Sequence, residues 1–130
     1  MKEWHWLAEA VILAIHDQQI VDHGGQGGLR DAGLLQSALT RPINRAAYAD
    51  ADAFELAAAY AFGIARNRPF FDGNKRTAYV AMELFLSKNG WLLQAGDVAA
   101  TLTMLQLAER SLSEEGYTAW LRANCVAAEE

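Results

Sequence analysis

The chain has 130 residues, 52% of them hydrophobic and 21% charged, which supplies a core and is too little charge for a disordered segment. Eleven Lys and Arg against sixteen Asp and Glu leave a formal charge of -5, the wrong sign for a protein that grips a nucleic-acid backbone directly. The single cysteine, Cys125, excludes an intrachain disulfide and a cysteine-based zinc cluster. Twenty-five alanines against two prolines exclude an all-β architecture and favour a helical bundle.

No run reaches the roughly 18 apolar residues of a membrane span, and the opening residues lack the basic head and apolar stretch of a signal peptide. A cytoplasmic protein with a single domain over residues 1–130 is expected.

From Trp4 to Ile20, Trp4, Leu7, Val11, Ile12 and Ile15 recur at three- and four-residue spacing, which predicts one apolar stripe on a first helix. Four glycines among residues 24–28 end it in a loop. A short second helix from about Asp31, carrying Leu34, Leu35, Ala38 and Leu39, is expected to stop at Arg41-Pro42, because proline disfavours helical geometry at the residue before it. Residues 41–50 then read as a polar connection.

Asp52-Ala53-Phe54-Glu55 has capping-box spacing and opens a third helix to about Arg66, whose apolar centre from Leu56 to Phe62 belongs in the middle of the bundle. A fourth helix carries Ala78, Ala81, Met82, Phe85 and Leu86 and ends at Asn89-Gly90. Asp97 opens a fifth, and Ser113 caps a sixth that buries Tyr117, Trp120 and Leu121.

The segment between the third and fourth helices breaks the surrounding pattern. Residues 66–76 hold Arg66, Arg68, Lys75 and Arg76 against Asp72 alone, and two of those cations fall at a helix amino end that is already partly positive. An anion is the natural counterweight. Free N–H groups of Gly73, Asn74 and Lys75 would receive it, with charge-assisted bonds from Lys75 and Arg76. Asp72 would then hold Mg²⁺ bridging phosphate oxygens, since that ion takes few protein ligands beside phosphate and water. A plainer reading stands beside this one: Asp72 as a helix cap, Phe70 and Phe71 as core anchors, Lys75 and Arg76 as solvated surface.

Phe70-x-Asp72-Gly73-Asn74-Lys75-Arg76-Thr77-Ala78 resembles the signature of the Doc (death-on-curing) toxins, the small branch of the Fic-fold superfamily. Flanking stretches are similar in the same order: Gly24-Gly25-x-Gly27-x-Leu29-Arg30-Asp31, Leu34-Leu35-x-Ser37-Ala38-Leu39-x-Arg41-Pro42, Tyr48, and Phe85-Leu86-x-x-Asn89-Gly90. The likeness runs over roughly residues 5 to 92.

The resemblance implies an all-α Fic fold of about six helices, with the signature loop leading into a central helix. It further implies a toxin paired with a Phd-like antitoxin, which alone contacts DNA, and transfer of the γ-phosphoryl group of ATP to a threonine of translation elongation factor Tu. The wider superfamily transfers AMP, and its motif has glycine where this chain has Lys75. Carried over, Asp72 holds Mg²⁺, Asn74 with the backbone of Gly73 cradles phosphate, Phe70 packs beneath this nucleotide-binding loop and holds it in place, and Lys75 and Arg76 both bind nucleotide and stabilise the transferred group.

One position departs. The family has histidine two residues before the phenylalanine, as general base, and this chain has Arg68. A guanidinium with a pKa above about 12 accepts no proton at neutral pH. A nearly inactive enzyme is expected, either a toxin attenuated by this substitution or a degenerate one that only binds its antitoxin. The antitoxin groove is expected at Trp4, Leu7, Val11 and Trp91, where aromatic and aliphatic mass exceeds what a small bundle hides.

Overall fold

The computed structural model describes residues 3–129. Six helices run in the order α1 (Glu9–His23), α2 (Ala32–Tyr48), α3 (Ala53–Asn67), α4 (Asn74–Lys88), α5 (Asp97–Ala108) and α6 (Glu114–Asn124). Two three-residue strands, β1 (Trp91–Leu93) and β2 (Cys125–Ala127), pair antiparallel with Leu92 opposite Val126. The all-α expectation holds, with this small sheet as its one unforeseen addition. Among the described residues no helix is long and apolar enough to cross a membrane.

Helix α3 is the buried axis, with Leu56, Ala57, Ala58, Tyr60, Ala61 and Ile64 fully enclosed, and it packs against α2, α4, α5 and α6. Its start is fixed as the sequence implies. The Asp52 side chain accepts from the Glu55 N–H at 2.9 Å, and the Glu55 carboxylate accepts from the Asp52 N–H at 3.2 Å. Asp31 and Ser113 cap α2 and α6 by the same chemistry, accepting from Leu34 and Gly116.

Two boundaries differ from expectation. Helix α2 does not stop at Arg41-Pro42 but continues to Tyr48 with Pro42 buried inside it. A proline there costs about 3 kcal/mol in an isolated helix; here packing overrides it. Gly63 of α3 sits so close to α2 that a Cβ on it would lie 3.0 Å from the Ala38 Cα, and beyond the proline Arg45 is tied to Glu55 at 3.0 Å and to Glu114 at 3.6 Å.

The second difference lies at the start of the chain, where Trp4 to Leu7 are not helical and α1 begins at Glu9. That segment finds stronger partners elsewhere. The Asn89 side chain accepts from the His5 N–H at 2.9 Å and donates to the His5 carbonyl at 3.1 Å, while the Leu7 N–H donates to the Tyr60 hydroxyl at 3.0 Å. Trp4 and Trp6 lie 6.1 and 5.8 Å from the Phe85 ring.

Candidate functional site

The signature begins where α3 ends. Arg68 is the residue after α3 and takes left-handed geometry, φ 51° and ψ 59°, a conformation that costs a residue with a Cβ about 1–2 kcal/mol. The chain then runs through Pro69 and Phe70 to Gly73, also left-handed at φ 77°, and enters α4 at Asn74.

This loop is held from three sides. Phe70 is buried and its ring stacks on His16 of α1, centroids 3.8 Å apart and planes 7° from parallel. The His16 Nε2 donates to the Asp72 carbonyl at 2.8 Å. From the glycine-rich loop, the Gln26 N–H donates to Asp72 Oδ2 at 2.7 Å and the Phe71 N–H donates to the Gly28 carbonyl at 3.4 Å. Gly25 makes that approach possible: at φ 111° it carries no side chain, and a Cβ would meet the Asp72 Cβ at 3.1 Å.

The amino end of α4 has no side-chain cap. Asp72 is spent on the glycine loop instead, so the plain-cap reading of that residue is overturned. The first backbone bond into the helix is from the Thr77 N–H to the Gly73 carbonyl at 2.9 Å. The N–H groups of Lys75 and Arg76 precede it and have no partner within the helix. Residues 72–76, with His23, Gly24 and Gly25, line a concavity of about 420 Å³ at this helix end. Lys75 and Arg76, both exposed, line this one concavity together; Arg76 Nη2 lies 3.4 Å from the Gly24 carbonyl.

The arrangement suits an oxyanion with several oxygens: helix-end donors, a glycine that lets the backbone approach, and two exposed cations. The exposed Asp72 carboxylate beside them also suits Mg²⁺, provided phosphate and water complete the coordination. Among the described residues no group of three His, Cys, Asp or Glu could hold a metal by itself.

Phe70 keeps its expected role: it is 1% exposed, with its ring turned into the core beneath the loop. Other expected roles change. The Asn74 side chain is buried, and its amide is used in both directions on the Phe70 backbone; only its main chain is left to face an anion. Arg68 is exposed and is not among the residues that line the concavity.

Arg66 leaves the basic cluster altogether. Its guanidinium donates to the carbonyls of Leu107 and Leu112 and lies 4.3 Å over Phe62. Burial and the charge of Arg110 push its pKa down.

The expected groove at Trp4, Leu7, Val11 and Trp91 does not form as a unit. Leu7 is core. Trp91 sits in β1 against Phe54, ring centroids 4.8 Å apart. Val11 is half-buried on α1, and Trp4 lines a separate concavity with the end of α2.

A different groove adjoins the signature. It encloses about 660 Å³ between α1, α4 and α5, is lined by Gln19, Tyr79, Val80, Met104 and Leu105, and shares His23, Lys75 and Arg76 with the anion site. Burial, then the Glu83 and Asp97 carboxylates, push the Tyr79 phenol up to about 12. On α5, Val98 is 82% and Leu102 is 52% exposed.

His16 is packed in the core, as a histidine on the inner face of the first helix is expected to be; sequence reasoning missed its bond to the Asp72 carbonyl and the parts played by His23 and Arg30. The signal for the two histidines was the seven-residue spacing from 16 to 23, which puts both on the face of α1 that meets α4.

The glycine loop, the uncapped turn and the cation pair thus meet at the amino end of α4, in a chain that is similar to known proteins. The chain is 40% identical over 80 residues to "Protein kinase doc" of Escherichia phage P1, covering 61% of this chain and 64% of that protein. It is 43% identical over 76 residues to "Toxin Doc" of Mycolicibacterium smegmatis, covering 55% and 57%. The matches thus span less than two thirds of either relative. The model of the Fic/DOC family matches residues 6–86, well over half of the chain and the whole of the site just described, and the chain belongs to that family.

Proposed function

We propose that the chain is the toxin of a toxin–antitoxin pair, a cytoplasmic phosphotransferase of one Fic/Doc domain over residues 1–130. It takes the γ-phosphoryl group of ATP to a threonine of translation elongation factor Tu. The observation that carries this reading is the side-chain-uncapped amino end of α4, opening at the concavity shared by Asp72, Lys75 and Arg76.

In this reading the α4 N–H groups and the Lys75 and Arg76 side chains take the phosphate oxygens, where they stabilise charge on the transferring group. Mg²⁺ held at Asp72 would neutralise phosphate charge and help align the leaving group. The acceptor hydroxyl oxygen bonds to the γ-phosphorus, the bond from that phosphorus to its bridging oxygen breaks, and ADP leaves. The hydroxyl proton leaves to solvent or to a phosphate oxygen, since Arg68 cannot take it. Loss of a positioned base lowers rate by about 10² to 10⁴, so the chain is an attenuated enzyme.

A Phd-like antitoxin is the proposed partner, and it alone would touch DNA. Its apolar helical segment fits the groove between α1, α4 and α5 better than the surface around Trp4, since that groove holds Val80, Met104 and Leu105 and runs directly into the anion site. Occupied, it would cover Lys75 and Arg76 and block nucleotide entry.

The Arg68→His variant, incubated with ATP, Mg²⁺ and elongation factor Tu, tests the reading by mass spectrometry of the product. Addition of one phosphoryl group is the expected result. Addition of an adenylyl group would make the chain an adenylyltransferase, and an unmodified target with folded variant present would leave a binding-only module.

A further inference from the structure

Residues 67–69 place three successive carbonyls at and just beyond the end of α3, where a helix carries partial negative charge and lacks internal donors. All three are met from one place. Arg30 donates from Nε at 2.9 Å and from Nη2 at 2.6 Å to the Arg68 carbonyl, and Nη2 also donates to the Asn67 carbonyl at 3.1 Å. The backbone N–H groups of Arg30 and Asp31 both donate to the Pro69 carbonyl, at 2.7 and 3.0 Å.

The residues on either side of Arg30 extend the clasp. Leu29 forms an antiparallel bridge with Phe70, and Asp31 caps α2. Arg30 is itself exposed and forms no ion pair among the described residues. Its guanidinium is directed at the backbone before the signature, and at the one place in the site where a residue with a Cβ is left-handed.

We propose that Arg30 is a positioning residue for the transfer reaction. Its fork holds the left-handed turn at Arg68, and thereby fixes the direction in which the side chain at that position leaves the backbone and the seat of the turn from Phe70 to Gly73. This rests on the reading above for its link to catalysis; the clasp itself does not. Lysine does not reproduce this contact, because the planar Nε–Nη2 edge sets two donors on the Arg68 carbonyl while Nη2 also reaches Asn67, and an ammonium is a single point donor.

The test compares the unmodified chain with Arg30→Lys and Arg30→Met by amide hydrogen exchange. Exchange at Phe70 and Phe71 should speed at least tenfold in both variants, while amides in the middle of α3 stay within twofold. Unchanged loop exchange in Arg30→Lys, or a uniform rise across α2 and α3 in both variants, would overturn the proposal.

Kinetics give the second readout. With Arg68→His as the background, adding Arg30→Lys should lower kcat at least tenfold and leave the KM for ATP within threefold. Equal proportional losses in both parameters, or no loss in kcat, would also overturn it. If Arg68→His alone transfers nothing, the phosphotransferase reading fails, and the exchange experiment still decides whether Arg30 holds the turn.

Discussion

The side-chain amide of Asn74 bonds the backbone of Phe70 in both directions. The Phe70 N–H donates to Oδ1 at 3.0 Å, and Nδ2 donates to the Phe70 carbonyl at 2.9 Å. A residue that reads in sequence as a ligand contact is instead the clip that closes the loop. Both backbone groups are buried, and a buried polar group left unpaired costs about 1–3 kcal/mol. Asn74→Ala should therefore lose about 2–4 kcal/mol in urea unfolding, and Asn74→Asp, which keeps the acceptor oxygen, should lose less. Equal stability of Asn74→Ala and the unmodified chain would remove the clip.

His16 does two separable jobs, stacking on Phe70 and donating to the Asp72 carbonyl. His16→Phe keeps the stack and drops the hydrogen bond, for a loss of about 1 kcal/mol. His16→Ala also opens a cavity under the loop and should cost about 3 kcal/mol. Denaturation midpoints in that order support the division of labour; the reverse order contradicts it.

At Gly63 two effects oppose one another. Alanine is the better helix former by about 0.8–1 kcal/mol, but its Cβ would lie 3.0 Å from the Ala38 Cα and 3.3 Å from the Ala38 carbonyl oxygen, which are backbone atoms that cannot swing aside. Overpacking of this kind costs about 1–3 kcal/mol and should win. Gly63→Ala is expected to lower the thermal midpoint; a rise would mean that α2 and α3 separate easily.

Burial raises the Cys125 thiol from its ordinary value of 9.0 to about 11. The folded state holds the thiol proton more tightly than the unfolded chain. Any stability linked to it is therefore complete below about pH 9 and lost as pH rises toward 11. The thiolate is scarce at pH 8, so alkylation there should run at least tenfold slower in the folded chain than in urea. Comparable rates would place the sulfur in water.

The helices were largely legible in the sequence because their signals are local. The Asp52–Glu55 box, the Ser113 cap and the apolar spacing of α3 each act within one or two turns. The failures share the opposite property. Pro42 stays helical because of Gly63 and Arg45 contacts, residues 4–7 stay out of α1 because Asn89 and Tyr60 hold them, and β1 needs a strand more than thirty residues away. The signature was located correctly, but residue type did not separate side chains that face a ligand from those that build the loop. The Asn74 side chain is one that builds the loop, and Arg66 points to another face of α3. Arg30 follows the glycine loop and reads in sequence as a motif residue or a substrate contact; nothing local says that its guanidinium reaches residues 67 and 68.

Calorimetric titration of the chain with ATP and Mg²⁺, beside the Lys75→Ala/Arg76→Ala double variant, reaches the central claim most directly. Both side chains are exposed, so the double variant should unfold within about 0.5 kcal/mol of the unmodified chain. The account predicts saturable binding of one nucleotide that is lost at least tenfold in the double variant and weakens with added salt. Equal affinity in the two proteins, or no binding in either, would contradict it.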